Sequence, residues 1–277
     1  MKTILVHLND HRRAESLLAP VVAIARRHTS HVVGFHTYTG LPPVAAVAVP
    51  YGASVLDSVV QADRREAEAL EQMFRAATAG SAFSTEWISA RSPHPDLAAF
   101  VMQHGRAADL IVASQSDPDW DFAPILDFPE RLAMESGRPV LVAPALGSFR
   151  AGGRSIAIAW DGSREAARAA FDALPLLAAA ESVVLLIVDD GHADPENVRA
   201  AADMVAAFAR HGVTIAVRRL ARDTAGVGDT LLAAAADAGA DMLVMGAYGH
   251  SRFREFVFGG ATRHVLRHMT MPTLLSH

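Results

Sequence analysis

The chain contains no cysteine, which excludes disulfide frameworks, thiolate metal centres and thiol nucleophiles together. It also has no uninterrupted apolar run of about 18 residues, the length needed to cross a bilayer. Met1-Lys2-Thr3-Ile4 leads straight into strand-like sequence rather than into a charged region with a cleavable apolar core, so a cytoplasmic location is expected. Excess basic charge is missing as well. With 25 Lys and Arg against 30 Asp and Glu, the formal net charge is -5, unlike a chain built to neutralise nucleic-acid phosphates. A small-molecule or protein partner is expected instead, with no nucleic acid and no membrane. The lysine-bearing phosphate loop, the G-x-Ser-x-G elbow and the dinucleotide G-x-G-x-x-G fingerprint are all absent. No general base or metal-binding acid can be assigned, so no catalytic residue is named.

What is present is a hydrophobic content of 51%, ample for a packed core, and a repeat. Two series of elements follow each other in the same order. The first opens with Lys2 and the apolar run Thr3 to Leu8; the second opens with Arg154 and the run Ser155 to Trp160. Each continues with a helix, a second strand (31–38 and 182–188), a long connection, a second helix and a third strand. The third helices are expected over Leu97 to His104 and Thr230 to Ala238. Asp96 and Asp229 stand where they can cap the N-termini, and Gly105 and Gly239 where they can take the left-handed conformation at the C-termini. The apolar runs Ala108 to Ala113 and Ala240 to Met245 match best, and short strands introduced by Pro139 and Pro272 close the two halves.

Alternating strands and helices imply, in each half, a five-stranded parallel sheet between helices with right-handed crossovers. Residues 1–146 and 152–277 are therefore expected to be separate domains, with the glycine-rich stretch from Leu146 to Gly153 as the linker and the boundary near Gly152. The segment from Gly40 to Ser54, rich in Pro, Ala and Val, is expected to cross the N-terminal domain as an apolar loop. The final strands of the two halves are candidates for pairing with each other, because exposed apolar edges invite aggregation.

Ligands of open parallel sheets sit beyond the carboxyl ends of the strands. After the fourth strand of the second half stands Gly246-Ala247-Tyr248-Gly249, then nine residues, then Gly259-Gly260-Ala261-Thr262 at the start of a helical stretch. Glycines permit close approach of the backbone, and a helix start offers free N–H groups and a positive dipole end, so phosphate is the natural guest. The pattern resembles the nucleotide-binding signature G-x-x-G-(nine residues)-G-[Ser/Thr] of the universal stress protein family. The resemblance implies two tandem flavodoxin-like domains of the adenine nucleotide alpha hydrolase-like type. It also implies ATP, with or without Mg2+, held by Gly246, Gly249, His250, Gly259, Gly260, Ala261 and Thr262, with Asp161 near the nucleoside. Gly260 departs from the signature, standing where it has Ser or Thr; the nearest hydroxyl is on Thr262.

In the first half the aligned stretches read Ser114-Gln115-Ser116-Asp117 and Asp127-Phe128-Pro129, and Asn9 stands in the place of Asp161 beside Asp10. Carboxylates and a proline where flexible donors are needed predict no ATP site there. Asp161-Gly162-Ser163 can equally be a strand-to-helix turn with a capping side chain, and Arg252 and Arg254 solvated loop residues. His264 and His268 share a helix face four residues apart, yet no further ligand is fixed near them, and His28 and His31 read as solvent-facing; no metal site is assigned. The resemblance thus implies a stress-response protein whose bound ATP acts as a switch for an unidentified protein partner, with slow hydrolysis or a ligand-free scaffold as the alternatives. Relatives of one domain pair through their last strands, which implies intramolecular pairing here and leaves homodimerisation open.

Overall fold

A computed structural model describes residues 1–38, 53–93, 96–116, 128–145, 147, 149–189, 195–221, 224, 226–247 and 260–277. The first half runs β1 (Thr3–His7), α1 (Ala14–His28), β2 (His31–Tyr38), α2 (Ala53–Thr78), β3 (Thr85–Arg91), α3 (Leu97–Gly105), β4 (Leu110–Ser114), α4 (Phe128–Glu135) and β5 (Val140–Ala143). The second runs β6 (Ser155–Ala159), α5 (Arg164–Asp172), α6 (Leu174–Leu177), β7 (Ser182–Asp189), α7 (Pro195–Arg210), β8 (Ala216–Ala221), α8 (Val227–Asp237), β9 (Met242–Gly246), α9 (Ala261–His268) and β10 (Thr273–Ser276).

All ten strands join one sheet in the order β3-β2-β1-β4-β5-β10-β9-β6-β7-β8. Within each half the neighbours are parallel. The halves meet where β5 and β10 pair antiparallel, with Leu141 opposite Leu274, so the expected pairing of the two final strands is found. The strands nearest the centre are buried almost throughout and mostly apolar, because helices cover both faces. One face packs Ile4, Val6, Ile156 and Ile158 with α1 and α5; the other packs Leu5, Ala157, Leu243 and Leu275 with α3, α8 and α9.

Local chemistry explains several matches between the halves. Asp109 accepts the N–H groups of Lys2 and Thr3, and Asp241 accepts that of Arg154, so the shared Ala-Asp pair fastens the start of the first strand in each half. The two carboxyls differ electrostatically. The Lys2 N–H holds the Asp109 pKa below its usual value, whereas burial raises that of Asp241.

Asp96 caps α3 as expected, accepting from Ala99 N at 3.0 Å. Asp229 does not cap α8. That helix starts earlier, at Val227 after Gly226, which places Asp229 inside the first turn, where its carboxylate faces His264. Gly239 takes the left-handed conformation with φ of 67°. Gly105 instead lies within the last turn of α3, and glycine is needed there because a Cβ would run into Ile111 at 2.4 Å.

The stretch between the halves is held rather than loose. Arg27 of α1 donates to the carbonyls of Ala151, Gly152 and Gly153, and Gly152 lies against Ala23 with φ of 63°, a position that no larger residue fits. Most of the segment from Gly40 to Ser54 lies outside the described residues, although α2 already begins at Ala53.

Candidate functional site

Strand order reverses at β6, which has β7 on one side and β9 on the other, so the chain leaves the carboxyl ends of β6 and β9 in diverging directions. Such a crevice is where open α/β sheets bind ligands. Ile156 and Met242 are partners across this parallel pair, which brings Asp161, just beyond β6, and Gly246, at the end of β9, to the same end of the sheet. The N-terminus of α9 lies there too, since β10 runs parallel to β9 and the helix between them must run back.

Asp161 is exposed, and its Oδ1 accepts the N–H of Ser163 at 2.9 Å. Ser163 in turn caps α5, accepting from Ala166 N at 3.1 Å. The turn-and-cap reading of these residues therefore holds, and it leaves Asp161 at the surface. Gly246 has a packing reason of its own. A Cβ there would lie 2.6 Å from Ala166 N and 2.6 Å from the carbonyl carbon of Glu165, so only glycine lets the end of β9 touch the first turn of α5.

Gly260 is the N-cap of α9 and has no side chain with which to cap it. Ala261 opens the helix. Thr262 is buried, with 2% of its surface exposed. Gly249, His250 and Gly259, like Arg252 and Arg254, lie outside the described residues.

Glu165, not singled out by the sequence, is buried beside Gly246 and pairs with the exposed Arg164. Trp160 Nε1 and Ser276 Oγ are also buried here and have no hydrogen-bond partner among the described residues. In sequence Glu165 reads as an ordinary charged residue of a surface helix, and only the glycine contact shows otherwise.

The corresponding end of the first half carries larger side chains. His7 and Phe128 occupy the positions of Ala159 and Ala261, and their rings stack at 4.7 Å. Where the first half packs two rings, the second has two methyl groups. On the other face, Arg13 Nη1 reaches Gln115 O at 2.9 Å and Ser114 Oγ at 3.4 Å across the β1–β4 crevice. Asp10 makes the turn that Asp161 makes, accepting from Arg12 N at 2.9 Å.

Burial, reinforced by the neighbouring His36, depresses the pKa of His7 to about 3, so His7 is neutral at physiological pH. His36 Nδ1 donates to Leu8 O at 2.8 Å. His31 is not simply solvent-facing: it meets Ser84 Oγ at 2.8 Å and lies near Glu86. Half-burial and the charge of the N-terminus lower the pKa of His28.

Two groups bear on metal binding. Asp10, His11 and Glu66 bring ligand atoms within 4.8 Å of one another, the one such group of three among the described residues. Arg12 already holds the Asp10 carboxylate through two nitrogens, and both the backbone and ring of His11 bond Glu66, so this cluster clamps the loop after β1 to α2. His264 and His268 stack at 4.2 Å, and His264 Nε2 approaches Asp229 Oδ1 to 2.9 Å without hydrogen-bond alignment.

An open, doubly wound α/β sheet with this strand order defines the flavodoxin-like class. Within that class, the family profile described as the Universal stress protein family matches residues 153–277, and the C-terminal half of the chain belongs to it. A universal stress protein from Archaeoglobus fulgidus matches in structure over 98% of this chain and 95% of its own, with 16% identity and a TM-score of 0.69. The cytoplasmic domain of a prokaryotic cation chloride cotransporter matches over 99% and 94%, with 11% identity and a TM-score of 0.54. A universal stress protein in complex with cAMP matches over 45% of this chain and 96% of its own, with 24% identity and a TM-score of 0.38. No match was found among curated proteins. The two full-length likenesses show the fold alone, so function rests on the site.

Proposed function

We propose that the C-terminal half binds ATP at the β6–β9 switch point and that the chain works as a nucleotide-dependent switch or interaction module. The observation that carries this reading is the convergence of Asp161, Gly246 and the start of α9, whose N-cap is Gly260, at one end of two adjacent parallel strands. Backbone amides of Gly260, Ala261 and Thr262, with those of Gly249, His250 and Gly259, would hold the phosphates, and Asp161 would face the nucleoside. Mg2+ would accompany the phosphates. Helix-start amides are strong anion donors, and small residues at Ala159 and Ala261 suit an occupant of that end. The natural domain units are residues 1–146 and 152–277, the first serving as a structural partner.

Gly260 brings no hydroxyl to the position where the signature has Ser or Thr, so at that position the cradle would rely on backbone. That feature favours, as the second reading, a ligand-free interaction module. Calorimetric titration with ATP and Mg2+ decides between them. We expect one site per chain, with Ala261→Pro as the control: proline is tolerated at the first helical position but deletes one amide donor. Weaker binding by the folded variant supports the cradle, and equal binding would sink it. No binding by wild-type protein shown by extraction to carry no nucleotide leaves the interaction module.

A further inference from the structure

Helix α9 has two ends, and each faces a different half of the molecule. Its N-terminus opens on the β6–β9 crevice. Its C-terminus leaves the last carbonyls without partners within the helix, as every helix does. Two of them are satisfied from the other half: Gln115 Nε2 donates to Leu266 O at 2.7 Å and to Arg267 O at 3.1 Å. The same side chain accepts, through Oε1, the N–H of Ala145 at 3.0 Å, just beyond β5. Only one orientation of the amide meets all three contacts, so Gln115 is a fixed strut between the N-terminal half and α9.

The strut works in one direction. The position matching Gln115 in the second half is Ala247: Gln115 N bonds Ala143 O as Ala247 N bonds Ser276 O, yet alanine has no amide to extend towards α4. The helix that Gln115 holds is the one that opens on the crevice. Leu266 lies six residues beyond Gly260, about 9 Å along the axis, so a single rigid rod links the two ends. Its middle is seated as well, because Gly228 of α8 lies under the His264 ring, where a Cβ on the glycine would come within 2.7 Å of Cδ2. Donors at the carbonyl end also complement the helix dipole whose positive end faces the crevice.

We infer that Gln115 couples the N-terminal half to the ligand site of the C-terminal half, acting as a positioning residue that fixes α9 for phosphate binding; this rests on the ATP reading above. Coupling is reciprocal, so a ligand at one end of α9 must also be felt at the Ala145 N–H at the other.

The test pairs calorimetry with hydrogen exchange on the full chain with MgATP. In the wild type, ATP should slow exchange at Ala145 N–H. Gln115→Met keeps the length but removes the polar contacts. It should weaken ATP binding about three- to tenfold and abolish the effect of ATP at Ala145. Gln115→Glu sets a carboxylate against the carbonyls and should weaken binding further. Unchanged affinity in a folded Gln115→Met protein, or an ATP effect at Ala145 that persists in it, overturns the coupling while leaving the ATP reading intact. Should neither variant fold, the wild type decides alone: exchange at Ala145 indifferent to bound ATP overturns the coupling. A wild type that binds no ATP removes the reading and the coupling together.

Discussion

His7 shows how far one position can set the character of a half. It ends β1 on the face shared with α4, is 2% exposed, and its Nε2 has no partner among the described residues. An imidazole so placed resists protonation. Its folded pKa of about 3 lies below the unfolded value near 6.5, so between these limits the unfolded chain binds the extra proton. Stability from this group is therefore complete above about pH 6.5 and falls by at most about 1.4 kcal/mol for each pH unit below it. Urea unfolding at pH 7 and pH 5 should show the loss, and His7→Phe should reduce it; an identical pH dependence in the variant would refute the assignment. The sequence did not reveal this, because a histidine at the end of an apolar run carries no mark of whether Phe128, more than a hundred residues on, will cover it.

At the scale of elements, strands were more legible than their terminations. β4 and β9 were readable because strands covered on both faces are continuous apolar runs, and Asp109 and Asp241 recur because each fastens a first strand. The edge strands β3 and β8 were harder to bound, since most of their residues are exposed and alternation is weak. Asp229 misled because an acidic residue before an Ala-rich run suits a cap and a first turn equally well. Gly246 was legible as a glycine that matters, but its reason was only half visible. Sequence places it in a phosphate-binding pattern, whereas the structure adds that β9 meets the first turn of α5 there. Gly246→Ala should consequently destabilise the fold by about 1–3 kcal/mol through overpacking. Denaturant midpoints would measure this, and a variant as stable as wild type would show that the contact yields. Loss of ligand binding in this variant alone would not identify a ligand contact.

The whole molecule is one sheet with two faces, each packed by helices from both halves. The β5–β10 ladder, the Arg27 hold on the interdomain glycines and the Gln115 strut all cross between halves. Heating should therefore unfold the chain in a single transition, with calorimetric and van't Hoff enthalpies that agree. Two resolved transitions would mean that the halves melt independently. The alternating order of elements made the repeat and the pairing of final strands legible in sequence. Gln115 was not legible as a strut, because its partners lie some 150 residues away on a helix whose placement only the assembled sheet defines.

That the two halves paired at β5 and β10 belong to one chain has a consequence for how two copies of one fold can come to differ. Separate subunits pairing at these edges would depend on concentration, and each would have to serve every role of the pair. A tethered copy meets its neighbour at a high effective concentration whatever the dilution. One half is then free to diverge at its strand ends, where His7 and Phe128 stack, while retaining the edge strand and the Gln115 amide that contact the other. Duplication within a single chain thus permits a division of labour that a symmetric dimer forbids.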